Sequence, residues 1–583
     1  MTQRSWKNRL EQASLCLLVE ALLVLTAESV LAQSNIVPDA TLGEESSQVR
    51  TNVEGNPVEV IEGGAQRGAN LFHSFSEFNV SEGRGAYFDN PTGIENILGR
   101  VTGANPSQIL GTLGVLGNAD LFLINPNGII FGQNARLDVN GSFLGSSADS
   151  LLFPNGEFSA RDTQTKPLLT INVPIGLGLG DNPGEIINRS FVQNSTGDDF
   201  VGLEVPQGEN LTLVGGDINF EGGEATASGG RIELGGLGEA GVIALSSDGS
   251  LSFPEDVARA DVTLSNFADI DVRGTNGGNI IINARNLSLE SGLGSSLIRA
   301  GISSADSTNS EAQAGNIIID ATDKITIDDS IVTNRVEAEA VGNAGDVIIA
   351  TDSLSLTNGG AVNASTFGQG DAGSVEITAS DIVTIDGESS VTSQVASDAK
   401  GEGGNIIITT NSLSLTNSGT VNANTFGQGD AGTVDIFASD TVTIDGESSV
   451  TSQVASDAKG NAGNVTITTG SLSLTNGGLV DASIGGQGNS GSVEITASDT
   501  IVIDGEDSNG FPSGIGSQVN NEAKGNGGNV TITTGSLSLT NGGFISANTG
   551  GQGNAGSISI TASDTITIDG EASDGISSGV VTH

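Results

Sequence analysis

An all-β chain wound as a right-handed parallel β-helix, a solenoid of stacked coils, is the fold the sequence predicts, and three observations carry that expectation. The first is a recurring unit. Gly342-Asn343-Ala344-Gly345, Gly370-Asp371-Ala372-Gly373, Gly401-Glu402-Gly403-Gly404 and Gly429-Asp430-Ala431-Gly432 open successive units, continued at Gly460, Gly488, Gly525 and Gly553. Their spacing alternates between 28 and 31 residues, except where Asp507 to Gly514 is inserted. One unit is therefore one coil, of two alternating kinds. The second observation is period-two alternation. In the unit opening at Gly460, Val465-Thr466-Ile467-Thr468 and Leu472-Ser473-Leu474-Thr475 alternate apolar and polar residues, and Leu479 to Ile484 is a weaker third run. That is the pattern of half-buried strands. Runs so short are unstable alone, but stacked coil on coil they would form three parallel sheets around a continuous apolar core. At roughly 4.8 Å per coil, the ten or so coils from about Gly274 onward would span on the order of 50 Å.

The third observation is the corner chemistry. Asn358-Gly359, Asp386-Gly387, Asn417-Ser418, Asp445-Gly446, Asn476-Gly477 and Asp504-Gly505 recur where the chain must turn, and these residues tolerate positive φ. Asn and Asp alternate from coil to coil. If they occupy equivalent positions, interposed Asn would separate the carboxylates by roughly 10 Å, near one Debye length.

In chain order, residues 1–32 have the pattern of an export signal. Arg4, Lys7 and Arg9 precede an apolar run from Leu15 to Thr26, and Val30-Leu31-Ala32 places cleavage after Ala32. Glu20 interrupts the run, so no permanent membrane span is expected. The only cysteine, Cys16, lies within this segment, so the mature chain would carry no disulfide, zinc–thiolate site or cysteine nucleophile. Residues 33–160 hold nine of the nineteen phenylalanines and read as a distinct domain. Residues 161–273, with runs such as Gly222-Gly223 and Gly229-Gly230, are expected to form irregular coils of the same helix. Residues 274–583 are the regular coils, expected to be truncated at the C-terminus because Gly570 to His583 stops partway through a coil. The net charge of −49 repels phosphate backbones and excludes nucleic acid as a partner.

Between Phe72 and Phe158, two turns stand out. Leu121-Phe122-Leu123-Ile124 reads as a buried strand, Asn125-Pro126-Asn127-Gly128 as a tight turn, and Ile129-Ile130-Phe131 as the next strand. Asn90-Pro91-Thr92-Gly93 makes a similar turn earlier. Together with Phe75-Ser76-Glu77-Phe78-Asn79-Val80, Asn96-Ile97-Leu98-Gly99-Arg100-Val101-Thr102-Gly103, Gly117-Asn118-Ala119 and Gly141-Ser142-Phe143, the ordered set resembles the filamentous haemagglutinin amino-terminal domain, the secretion domain of two-partner secretion exoproteins. The resemblance covers roughly residues 34 to 160. The Gly-Asn-Ala-Gly units also resemble those of large cyanobacterial exoproteins of this kind. The resemblance implies export to the periplasm and recognition by a dedicated outer-membrane β-barrel transporter with POTRA domains. Passage through it would be unfolded, followed by release or display at the cell surface. It assigns Asn125, Pro126, Asn127, Gly128 and Ile129 to the motif tied to secretion competence, with Asn90 and Pro91 as weaker candidates. Contact with the transporter and maintenance of the domain's shape are both open as their role.

No catalytic, metal or cofactor site is expected. His73 and His583 are isolated, and His73 is expected to pack beside Phe72 and Phe75. Lys400, Lys459 and Lys524 sit at equivalent positions, as in a structural ladder. The chain is expected to be an adhesin that binds a surface receptor or carbohydrate, rather than an enzyme. The alternatives are a β-helical polysaccharide lyase or hydrolase exported by the same route, and a purely structural surface fibre. A groove lined by aromatics or by non-repeating Asp would favour the enzyme.

Overall fold

The computed structural model describes residues 33–164, 167, 169–303, 312–573 and 575–583. The signal segment, with Cys16 and the cleavage position at Ala32, lies outside the described residues. Apart from two single-turn 3-10 helices, Gly43–Glu45 and Val53–Gly55, every element named among the described residues is a strand. One row of parallel strands runs the length of the molecule. It passes from Asn70–Asn79 through Asn96–Val101, Asp120–Ile124 and Phe143–Ser146, then through Asn210–Gly215 and Arg231–Gly236 into Asn279–Glu290. A second row, from Ser107–Ile109 through Ile129–Phe131 to Val262–Ser265, joins the same strand Asn279–Glu290. Beyond that point the two rows are one.

This corrects the expectation of three separate sheets. In each regular coil the two alternating runs form a single bent strand, Val465–Thr475 for example, with a register shift between Thr469 and Leu472. A second sheet of short strands, such as Leu479–Asp481, makes another face. The third face is reduced to isolated parallel bridges, among them Gln428 to Lys459 and Thr425 to Val454. The expected Lys ladder is there, with a Gln between successive lysines: Lys400, Gln428, Lys459, Gln487 and Lys524 bridge in turn.

The strand register follows two coil lengths. Val375 pairs with Ile406 and Ile406 with Val434, spacings of 31 and 28. The longer coil carries one extra residue at the strand bend, where a 12-residue strand replaces an 11-residue one. It carries two more in the arc Val395–Lys400, which stands where the shorter coil has Thr425–Gln428. The insertion after Asp504 folds outward as a small hairpin closed by the Asp507 amide donating to the Phe511 carbonyl at 2.8 Å, so the stack continues beneath it. Val493 then pairs with Val530 in unbroken order.

Glycine opens each coil because backbones meet there. Gly460 has φ +153, and a Cβ on it would lie 1.9 Å from the Gly429 carbonyl oxygen. Inside, Val465, Ile467, Leu472, Leu474 and Val480 stack on their counterparts in a core almost inaccessible to water. Each such side chain contributes about 1.5–3 kcal/mol by burial.

The corner register also differs from expectation. Asp386 pairs with Thr416, one residue short of Asn417, so Asp and Asn do not alternate at one position. Instead the Asp386 carboxylate accepts the Thr416 hydroxyl at 2.5 Å and the Asn417 amide at 2.7 Å. Those two bonds hold its carboxyl below the usual range. Asp328, Asp445 and Asp504 accept the same pair of donors from the following coil. Carboxylates are tolerated there because each is hydrogen-bonded by its neighbour, a local cause rather than long-range spacing.

Asp481 shows the cost when that support is incomplete. Along its ladder in earlier coils, Asn363 and Asn422 alternate with Thr392 and Thr451. Burial pushes its carboxyl up to about 6, against bonds from Ser483 and Gln453. A raised carboxyl favours the fold fully below the unfolded value near 3.8, and that advantage is lost as pH rises through about 6. Asp481→Asn should therefore stabilise the chain by about 3 kcal/mol at pH 7 and by only about 0.5 kcal/mol at pH 4, read by thermal unfolding. An equal effect at both values would refute the titration argument.

The first coils depart from the regular pattern at their top and side. Asn35–Pro38, Ser47–Arg50 and Ala65–Arg67 pair antiparallel and cover the upper end. Ser150–Phe153, Gly156–Ser159, Gly176–Leu179 and Gly241–Leu245 form an antiparallel sheet on the outside of the helix. Between that sheet and the coils lies a second apolar core, with Phe72, Ile124, Phe153, Phe158 and Leu177. Residues 161–273 thus hold both parallel coils and part of this outer layer. His73 is buried against Phe75 and Phe88, at ring distances of 6.1 and 5.2 Å, and burial lowers it to about 3, so it is neutral.

Candidate functional site

The strand Asp120–Ile124 ends at Asn125, whose buried side chain organises the corner that follows. Its amide donates to the Asn105 carbonyl and to Ser107 Oγ, both at 3.0 Å, tying it to the preceding coil. Its Oδ1 accepts the Asn127 backbone N–H at 3.0 Å, an Asx turn across Pro126. The Gly128 N–H donates to the Asn125 carbonyl at 2.9 Å and closes the turn. Asn127 reaches back through its side-chain amide to the Gly103 carbonyl at 2.8 Å.

The next coil is joined by backbone alone. Gly184 N–H donates to the Pro126 carbonyl at 3.1 Å, and Ile129 N–H to the Glu185 carbonyl at 3.2 Å. Gly128 sits at φ +106, and a Cβ there would lie 2.4 Å from the Glu185 oxygen. Only glycine lets the two coils approach this closely. The five motif residues are therefore brought together in one corner: Asn125, Pro126, Gly128 and Ile129 are buried and Asn127 is half-buried. Arg161, from the outer layer, covers it, with donors 3.4 Å from the Pro126 carbonyl and 3.3 Å from Asn127 Oδ1.

The Asn90-Pro91 turn is a different object. Asn90 Oδ1 accepts the Asn118 and Ala119 amides at 2.9 and 3.2 Å, while Pro91 and Gly93 are exposed. It lies on another edge and shares no hydrogen bond with the Asn125 corner.

Beside the corner lies a buried charge that the motif reading did not single out. Arg100 pairs in register with Ile124 and is fully buried. It donates to Ser74 Oγ at 3.0 Å, Thr41 Oγ1 at 2.8 Å and the Ser159 carbonyl, and its guanidinium lies 4.3 Å from the Phe158 ring centre. Burial pulls it down to about 10. Ser74 and Thr41 in turn donate to Asp39, at 2.8 and 2.5 Å. Burial pushes the Asp39 carboxyl up, yet the hydroxyls of Thr41, Thr102 and Ser74 hold it below its ordinary value. Arg100 thus pins the top layer, the coils and the outer sheet together. Its sequence signals were its place in the run Asn96 to Gly103 and its standing as a lone Arg inside an apolar strand. Arg161 and Glu185 gave none, since both act from distant segments.

Nothing in the corner offers chemistry beyond hydrogen bonding, and among the described residues no group of three or more His, Cys, Asp or Glu could hold a metal ion. No helix among the described residues is long and apolar enough to cross a membrane.

Against known proteins, residues 34–282 match the family model of the TPS secretion domain. A heme/hemopexin-binding protein of Haemophilus influenzae is 34% identical over 79 residues, which is 14% of this chain and 8% of that protein's length. Among solved structures, the HMW1 secretion domain from Haemophilus influenzae overlays with a TM-score of 0.40 at 17% identity, covering 80% of this chain and 95% of that one. The filamentous hemagglutinin secretion domain overlays with a TM-score of 0.27 at 16% identity, covering 66% and 98%. The matched residues include the top layer, the Asn125 corner, the outer sheet and the irregular coils as far as Asn279–Glu290. Residues 34–282 of this chain are thus similar to the TPS secretion domain.

Proposed function

We propose that the chain is an adhesin-type exoprotein, carried to the periplasm by the segment 1–32 and handed by residues 34–282 to a dedicated outer-membrane transporter with POTRA domains. Outside the cell the regular coils would form a shaft that displays a binding surface, released or held at the cell surface. The observation that carries this reading is the match of residues 34–282 to the TPS secretion domain, a segment continuous in hydrogen-bond register with the shaft. The chain's lack of cysteine after Cys16 suits unfolded passage, because no crosslink forms beforehand. Coils that need only their neighbours can then form one after another as the chain emerges.

Within this reading, Asn125 to Ile129 act by holding the domain's shape. The burial of four of the five, and the use of their polar atoms inside the protein, support that role over direct contact. A non-catalytic chain agrees with its match to a secretion domain. Deleting the transporter gene nearest to this one should abolish the protein outside the cell while leaving it in the periplasm. Undiminished release would refute the export route.

A further inference from the structure

On one edge of the secretion domain, where successive coils turn a corner, lies an open groove of about 830 Å³. Its floor and walls come from segments far apart in sequence, around Gln133, Arg189 to Phe200, Glu221 to Glu224, Asn266 to Asp269 and Leu293 to Arg299. Three features set it apart from a mere surface dent.

The first is exposed aromatic surface held in place. Phe191 and Phe200 stack on each other at 4.1 Å and 17°, yet each remains about 40% exposed. Phe267 is 55% exposed and Leu293 81%. In water such a cluster loses burial energy that a folded chain ordinarily gains. The second is strain. Phe267 has φ +67, a region that bulky residues avoid. Its N–H donates to the Gly294 carbonyl at 3.0 Å, and its ring lies over Gly294, where a Cβ would come within 1.8 Å of a ring atom. The backbone thus presents this ring outward at a conformational cost, as occurs at functional sites. The third is a buried acid. Glu224 is 9% exposed, lines the groove, and no donor among the described residues hydrogen-bonds its carboxyl. Burial, then the neighbouring Asp269, push it up to about 7, so near neutrality it can donate as well as accept.

Charge selects the ligand class. Both guanidiniums in the groove are already paired: Arg189 with Glu221 at 2.7 Å, and Arg299 with Asp269 and, at 3.2 Å, Asp271. No unpaired cation awaits a carboxylate, sulfate or phosphate. The surrounding net charge of −49 repels polyanions further. What remains is flat apolar faces beside amides, carboxylates and a protonatable acid. That combination fits a ligand with apolar ring faces and a rim of hydroxyls.

We infer that this groove binds a neutral oligosaccharide, whose sugar rings lie on Phe191, Phe200 and Phe267 while their hydroxyls bond Glu224, Asp199 and the Gln133 and Asn266 amides. Phe191, Phe200, Phe267 and Glu224 lie within residues 34–282, and Leu293 and Arg299 just beyond them, so the segment proposed for export would also serve recognition. An aromatic-lined groove is the feature that favours the enzyme alternative, but binding by itself requires no turnover, and cleavage of the bound sugar is the outcome that separates the two.

The test uses the full chain, purified after secretion. Binding of glucose, mannose and galactose hexasaccharides, with oligogalacturonate as the acidic control, is read by isothermal titration and saturation-transfer NMR. At least one neutral hexasaccharide should bind and the acidic one should not. Phe200→Ala should weaken binding at least tenfold. Phe267→Asn, which tolerates the left-handed backbone, should also weaken it tenfold while leaving the melting temperature at or above that of the parent. No binding by any neutral hexasaccharide, stronger binding of oligogalacturonate, or unchanged affinity in both variants would overturn the site. Cleavage of the bound sugar would support the site and overturn only the non-catalytic reading. Because binding is measured on purified protein, its failure is independent of the export route.

Discussion

Gly128→Val should destabilise the secretion domain by about 3–5 kcal/mol and reduce the protein outside the cell at least tenfold. Two costs add at this position. A side chain at φ +106 is strained by itself, by about 1–2 kcal/mol. The Cβ would also lie 2.4 Å from the Glu185 oxygen, so strands Ile129–Phe131 and Ile186–Asn188 must separate or lose pairing. The control is Gly93→Val in the similar Asn-Pro-Thr-Gly turn. Gly93 has φ +87 but nothing within 4 Å of a Cβ, so only the strain, about 1–2 kcal/mol, applies. Thermal unfolding of the two variants checks the ranking. Comparing export with stability then separates the two roles open for the motif. If shape is what matters, a conservative change at half-buried Asn127 will alter export only as far as it alters melting. Loss of export at unchanged melting would assign the corner to transporter contact instead.

Gly460→Val should split the shaft into two blocks that melt separately. The side chain would stand 1.9 Å from the Gly429 oxygen, so the coils on either side cannot keep their spacing of roughly 4.8 Å. A solenoid holds together by contacts between nearest neighbours, so cutting one such interface uncouples what lies above from what lies below. Calorimetry should show one transition in the parent and two in the variant. A single transition, merely shifted, would show that the glycine contact is local. Gly359→Asn is the matched control: its Cβ meets nothing within 4 Å, and Asn358 and Ser418 already adopt positive φ at the same corners. It should change stability by less than about 0.5 kcal/mol.

Much of this was legible in the sequence. Period-two alternation in runs such as Val465-Thr466-Ile467-Thr468 encodes which side chains turn inward, and the glycine spacing encodes coil length. Both are local properties, because a strand's inward face and a turn's φ depend on a few adjacent residues. The same locality made the Asn125 to Ile129 turn readable as a turn. Register was not readable to the residue. Asp386 and Asn417 looked equivalent, but the extra residue at the bend of the longer coil and the exact corner bonds set Asp386 against Thr416. Nor could alternation alone show that two runs make one bent strand.

By itself, then, the amino-acid order determined an all-β solenoid with coils of two lengths and glycine at each coil opening. Only the tertiary structure decided what lies over what: Arg100 beneath Ile124, Arg161 across Pro126, and Phe191, Phe200 and Phe267 along one groove. The physical reason is that stacking brings together residues from coils of unequal length separated by hairpins. Their alignment is the sum of every intervening loop, and no short pattern records that sum.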